Sequence, residues 1–154
     1  MIRINIVCVG KIKEKYIKDG IEEFLKRLSK YVKLDIIELT EEDDNKGIKN
    51  AVDVETQRII DAISKKNYSY SILLDLSGKM MTSVEMAEKI EKISLTSSEI
   101  NFIIGGSNGV ADKLREIVNF RLAFSNFTFP HQLMRLILVE QIYRWISINN
   151  NIKT

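Results

Sequence analysis

Asn101-Phe102-Ile103-Ile104-Gly105-Gly106-Ser107-Asn108-Gly109 is an apolar strand running straight into a glycine-rich turn. Gly105, Gly106 and Gly109 can take positive φ and carry no Cβ, so a ligand can approach the backbone closely there. The segment from Phe124 to Arg135 follows it with apolar rings, hydroxyls and amides, and with Pro130 placed to start a helix. Together the two stretches could wall a ligand.

Outward from that centre, strand and helix patterns alternate. Ile2 to Val9 is β-branched and closed by Gly10; Ile17, Ile21, Phe24, Leu25, Leu28 and Tyr31 then fall three and four apart on one helix face. Leu34 to Leu39 reads as a strand and Thr40 to Gly47 as a surface loop. Val52, Ile59, Ile60 and Ile63 mark a second helix, with Glu55 and Arg58 on its more polar side. Tyr70 to Leu76 is an apolar strand ending at Ser77-Gly78-Lys79, and Thr82-x-x-Glu85 is a capping box opening a helix whose inner face is Met86, Ala87, Ile90 and Ile93. Past the glycine turn, Val110, Leu114, Ile117 and Val118 suggest a short helix, and Phe120, Leu122 and Phe124 alternate as a strand. The last helix, Pro130 to about Ile148, is apolar over most of its circumference, so it is either central or buried against a second subunit. A homodimer is expected.

This alternation predicts a single α/β domain, residues 1–154, with a mostly parallel sheet and helices on both faces. In such sheets ligands bind outside the carboxyl ends of the strands, where Gly78, Gly105 and the Ser125 to Phe129 loop all fall. A chain of 154 residues with 45% hydrophobic and 29% charged residues can bury its own core. No apolar run approaches a membrane span, and Met1 to Asn5 starts a strand rather than a signal peptide, so a cytoplasmic protein is expected. The single cysteine, Cys8, excludes disulfide and cysteine-rich metal frameworks and reads as a buried, inert thiol.

Net charge is only +2, but residues 1–33 hold nine Lys or Arg against four Asp or Glu, while Glu41-Glu42-Asp43-Asp44 is acidic. A basic helix face suits RNA phosphate or plain solvation. The glycine turn is neither G-x-x-x-x-G-K-[ST] nor G-x-G-x-x-G, so kinase and dinucleotide readings lack support. One histidine, His131, leaves no multi-histidine metal site, and no metal is expected. Arg135, four residues on, is the first candidate for a phosphate contact. Glu140 and Arg144 can be an i,i+4 pair, and Asp75 is either a ligand-facing carboxylate or a polar strand end.

Five ordered strings carry a resemblance. Val9-Gly10-Lys11-Ile12-Lys13-Glu14-Lys15-Tyr16, Leu74-Asp75-Leu76-Ser77-Gly78-Lys79, the Phe102 to Gly109 turn, Phe124 through Arg135, and Glu140-Gln141-Ile142-Tyr143-Arg144 resemble the ribosomal RNA large subunit methyltransferase H family almost end to end. That resemblance implies the SPOUT fold, an α/β domain with a C-terminal trefoil knot that no periodicity would foretell. It further implies a homodimer that uses S-adenosylmethionine to methylate N3 of a pseudouridine in 23S rRNA on the ribosome. By position it places the cofactor against Leu74, Gly105 and the loop Phe124, Ser125, Asn126, Phe127, Thr128 and Phe129. Lys79, His131, Arg135 and Arg144 become substrate-side candidates, with no general base assigned.

Two departures accompany the resemblance. The family's Pro-Tyr-His tail has no counterpart in Asn149-Asn150-Asn151-Ile152-Lys153-Thr154, and Val54-Glu55-Thr56 stands where a Glu-Gly pair is usual, which reads as a helix detail. The tail keeps a rival open: a non-catalytic RNA- or ribosome-binding module that retains the cofactor pocket. A small-ligand-binding α/β domain is the second rival.

Overall fold

A computed structural model describes residues 1–66 and 68–152; of the expected tail, Lys153 and Thr154 lie outside them. The elements alternate as read: β1 (Arg3–Val9), α1 (Lys15–Leu28), β2 (Lys33–Leu39), α2 (Ile48–Ser64), β3 (Ser69–Met80), α3 (Ser83–Ser94), β4 (Glu99–Ile104), α4 (Asp112–Ile117), β5 (Phe120–Ala123) and α5 (His131–Asn149). All five strands are parallel, in the order β2-β1-β4-β3-β5.

Strand periodicity divides the interior in two. Ile4, Ile6 and Cys8 of β1 and Ile100, Phe102 and Ile104 of β4 face the layer of α1, α3 and α5. Val7, Val9 and Ile103 point the other way, toward Ile59 and Ile63 of α2 and Leu114 of α4. Successive side chains on a strand leave on opposite faces, so a sheet apolar on both must be covered on both.

The circumferentially apolar α5 is explained by its central position. It packs between α1 and α3 and over β4, where the Trp145 ring stacks on Phe102 at 5.8 Å and meets Phe124 edge-on at 6.2 Å. Gly20 of α1 makes room for it, since a Cβ there would come within 3.0 Å of Leu136 Cδ1. Opposite, α3 starts on the expected capping box: Thr82 Oγ1 accepts from Glu85 N at 3.1 Å and Glu85 Oε1 from Thr82 N at 2.9 Å.

Some readings are corrected. Glu55 is not on a polar face of α2: it is 4% exposed, because the acidic loop folds over it and Glu42 N donates to its Oε2 at 3.0 Å. Thr56 beside it is fully buried and accepts from Ala111 N at 2.9 Å, so this departure ties α2 to the chain beyond the glycine turn. Ile117 is half exposed, since α4 is one short turn that buries only Leu114. β3 does not stop at Leu76. Residues 75–78 leave the ladder and pairing resumes at Lys79, so that Leu122 of β5 is partnered by both Leu74 and Lys79.

Candidate functional site

The carboxyl ends of β3, β4 and β5 and the first turn of α5 enclose a cleft of about 320 Å³. Its floor is Leu74, Ile104 and Leu122; the glycine turn forms one wall, the loop 124–129 the other, and His131 and Met134 close the end. That volume and apolar lining are those of a small-molecule or cofactor site.

Each wall has a local cause. In the turn, Gly109 N donates to Gly106 O at 3.0 Å, and Gly109 alone of the turn's three glycines takes positive φ, +84°. Gly105 and Gly106 serve close packing instead. A Cβ on Gly105 would stand 2.7 Å from Val110 Cγ1, and one on Gly106 2.7 Å from Glu55 Oε1. The opposite loop is pinned at its start by Phe124 against Trp145 and folded by Ser125 Oγ, which accepts from Phe127 N at 2.8 Å. Phe127 is left 78% exposed at the lip, with Leu76 and Phe129 also showing apolar surface. Behind this wall, Phe124, Ser125 and Phe129 also border a groove of mixed polarity running to Met86, Ile137 and Trp145.

Charge at the mouth is concentrated on Asp75 and Arg115. Arg115 Nε donates to Asp75 Oδ2 at 2.9 Å, and its Nη1 to Val110 O at 3.2 Å and Asp112 Oδ1 at 2.8 Å. Burial pushes the Asp75 carboxyl up, but hydrogen bonds from the Ser77 amide and hydroxyl, joined by Arg115, hold it below the usual carboxylate range. Burial would lower the Arg115 guanidinium too, yet Asp75 and Asp112 keep it above its ordinary value. Both groups are therefore ionised at neutral pH.

The expected site residues divide by position. Leu74, Gly105, Phe124, Ser125, Phe127, Thr128, Phe129 and His131 line the cleft; Asn126 is exposed in the same loop without lining it. Gly78 and Lys79 do not reach it. Gly78 lies against the backbone of β5, where a Cβ would be 2.6 Å from Arg121 O, and both border a neighbouring groove with Arg115 and Arg121. Arg135 departs most from expectation: its side chain has no exposed surface, and its guanidinium is taken by Glu38 at 2.8 Å and by the carbonyls of Val9 and Gly10. Arg144 pairs with Glu140 at 2.9 Å, one turn back on α5. Asp75 lines the cleft, which favours the ligand-facing alternative of its sequence reading, and Met134 lines it as part of the 124–135 segment; Arg115 lines it without having been singled out from sequence. Among the described residues no group of three or more His, Cys, Asp or Glu is gathered as a metal site, and no helix is long and apolar enough to cross a membrane.

A parallel α/β sheet with a cofactor-sized cleft across its carboxyl ends defines a ligand-binding α/β domain. A family model described as a predicted SPOUT methyltransferase matches residues 2–153. The chain belongs to that family and is a methyltransferase. It is 55% identical over 151 residues to a ribosomal RNA large subunit methyltransferase H of Fusobacterium nucleatum, covering 97% of each chain. To the protein of that name in Clostridioides difficile it is 50% identical over 154 residues, covering 96% of this chain and 95% of the other. A solved structure of a probable methylase family protein from Haemophilus influenzae Rd KW20 shares the fold with a TM-score of 0.58 at 14% identity, over 96% of this chain and 68% of that one.

Proposed function

We propose that this chain transfers a methyl group from S-adenosylmethionine to N3 of a pseudouridine in 23S rRNA on the ribosome, as a cytoplasmic homodimer. The observation that carries the reading is the cleft: in a SPOUT methyltransferase chain, Leu74, Gly105 and the 124–129 loop converge on one apolar cavity of about 320 Å³. The names of the relatives at 50–55% identity support the ribosomal substrate. Membership of the SPOUT family and the fold shared with the methylase family structure support a knotted C-terminal half.

The residues present fit the cofactor. Gly105 lets the cleft wall pack closely on Val110 with no side chain of its own, and strand-end amides and carbonyls of Leu74 and Gly105 suit an adenine edge. Phe127, Phe129 and Leu76 supply apolar cover at the lip. When bound, S-adenosylmethionine supplies an electrophilic methyl group. The protein's share is to orient the acceptor and exclude water, and to take the imide proton or steady the imidate charge. His131 lines the end of the cleft on the first turn of α5, which supports it as a substrate-side residue; exposed Lys11, Lys13 and Lys18 are available to RNA phosphate.

The test is calorimetric titration with S-adenosylmethionine and its demethylated product, beside methyl transfer to purified ribosomes and sedimentation of the free protein. Binding with transfer, weakened by added salt on the ribosome side, is the expected result. Binding without transfer makes the chain a ribosome-binding module with a cofactor pocket. No binding removes the pocket assignment, and a monomer in sedimentation removes the dimer.

A further inference from the structure

Arg115 bridges two sides of the cleft and makes a third contact just outside it. Its Nε holds Asp75 where β3 leaves the ladder, its Nη1 holds the carbonyl of Val110 where the glycine turn ends, and the same nitrogen holds Asp112 at the start of α4. Asp75 is in turn locked to Ser77, whose amide and hydroxyl both donate to its Oδ1, at 3.0 and 2.9 Å, so residues 75–77 are folded around that carboxylate. The Asp75 side chain is only 7% exposed and Arg115 30%, which shields the pair from solvent. Asp75 lies where β3 leaves the ladder and Val110 lies beyond the end of β4; α2 holds the turn from its far side through Thr56, whereas Arg115 links it to β3.

We propose that Arg115 is a positioning residue that sets the width of the cleft, joining the irregular stretch of β3 at Asp75 to the glycine turn so that the cofactor site is formed before the cofactor arrives. The proposal rests on the cofactor reading above. A planar guanidinium can direct separate N–H groups at Asp75 and Val110 in fixed geometry, whereas an ammonium on a flexible stem offers the charge without the fork. Preformed walls spare the ligand the ordering cost, so the effect falls on affinity rather than on the chemical step.

Arg115→Lys and Asp75→Asn, singly and together, test it by calorimetry with the demethylated cofactor product, steady-state methyl transfer and hydrogen exchange of the apo protein. The expected result is roughly a tenfold loss of affinity for Arg115→Lys, with KM for the cofactor raised and kcat at saturation little changed. The double variant should lose less than the sum of the two singles, because the Arg115–Asp75 bond is common to both. Amides of residues 75–78 and 109–112 should exchange faster in Arg115→Lys while those of β1 and β4 do not. Wild-type affinity in a folded Arg115→Lys overturns the proposal, as does additive loss in the double variant. A wild type that binds no cofactor overturns the cofactor reading and this affinity role with it. Accelerated exchange confined to those two segments would then leave Arg115 as a purely structural tie.

Discussion

Arg135 Nη1 donates to Glu38 Oε2 at 2.8 Å while the arginine side chain has no exposed surface. The pair fastens the first turn of α5 to β2, and Nη2 fastens it to the end of β1 through Val9 O and Gly10 O. Removing one partner is most costly when the charge left behind is the buried one, which cannot return to water. Glu38→Gln, which strands the guanidinium in the core, should therefore cost about 3 kcal/mol, whereas Arg135→Met should cost less. Glu38 is 36% exposed and can rehydrate when left alone. Urea denaturation of both variants checks the order, and an unchanged midpoint for Glu38→Gln would show that the charge is compensated elsewhere.

The glycine turn makes two separable demands. Gly109 needs φ of +84°, and a Cβ there would meet nothing within 4 Å, so Gly109→Ala should cost about 1 kcal/mol through backbone strain alone. Gly105 needs space, because its Cβ would stand 2.7 Å from Val110 Cγ1 in the cleft wall. Gly105→Ala should shift that wall and weaken cofactor binding about tenfold, whereas the double variant Gly105→Ala with Val110→Ala should recover most of it. Calorimetry on the three variants decides, and a failure of Val110→Ala to rescue would assign Gly105 to direct ligand contact.

Phe127 invites the opposite experiment. At 78% exposure it contributes little to the fold, and surface truncations generally stay within about 0.5 kcal/mol. Covering such a ring with a ligand is worth about 1.5–3 kcal/mol. Phe127→Ala should therefore leave Tm nearly unchanged and lower cofactor affinity by roughly tenfold or more. A variant that binds like wild type would assign the exposed ring to a protein or RNA contact instead.

These contrasts also explain what could be read without coordinates. The cleft was legible because its makers are local: glycines after an apolar run, and a ring-rich loop before a proline, announce themselves in consecutive residues. Arg135 was not, because a four-residue spacing from His131 says that both lie on one side of a helix but not that Glu38, 97 positions away, covers that side. Glu55 was misread for the same reason: a carboxylate looks solvated until Glu42 folds back to satisfy it. Arg115 carried no signal at all. Its partners Asp75 and Val110 meet only once β3 and β4 are adjacent, and the re-entry of β3 at Lys79 depends on β5 lying beside it. Periodicity reports which face is buried; it is silent on which distant charge is waiting there.

Cys8 lies next to the end of the strand that Arg135 grips, and its thiol donates to Ile37 O at 3.5 Å inside the sheet. Burial pushes this thiol from 9.0 up to about 12, with the Arg135 charge opposing the rise and the Glu38 charge adding to it. The folded protein thus keeps a proton that the unfolded chain loses above pH 9. Any stability from this group is intact below that point and declines toward pH 12, at a limiting slope of about 1.4 kcal/mol per pH unit. Cys8→Ala should flatten the alkaline limb of a denaturation profile by that share. At pH 8 a thiol reagent should label Cys8 only as fast as the protein unfolds, and labelling of Arg135→Met should track its own unfolding rate rather than the lost charge. Rapid labelling of the native wild type would mean that the β1–β2 edge opens locally, and the thiol would then be accessible without global unfolding.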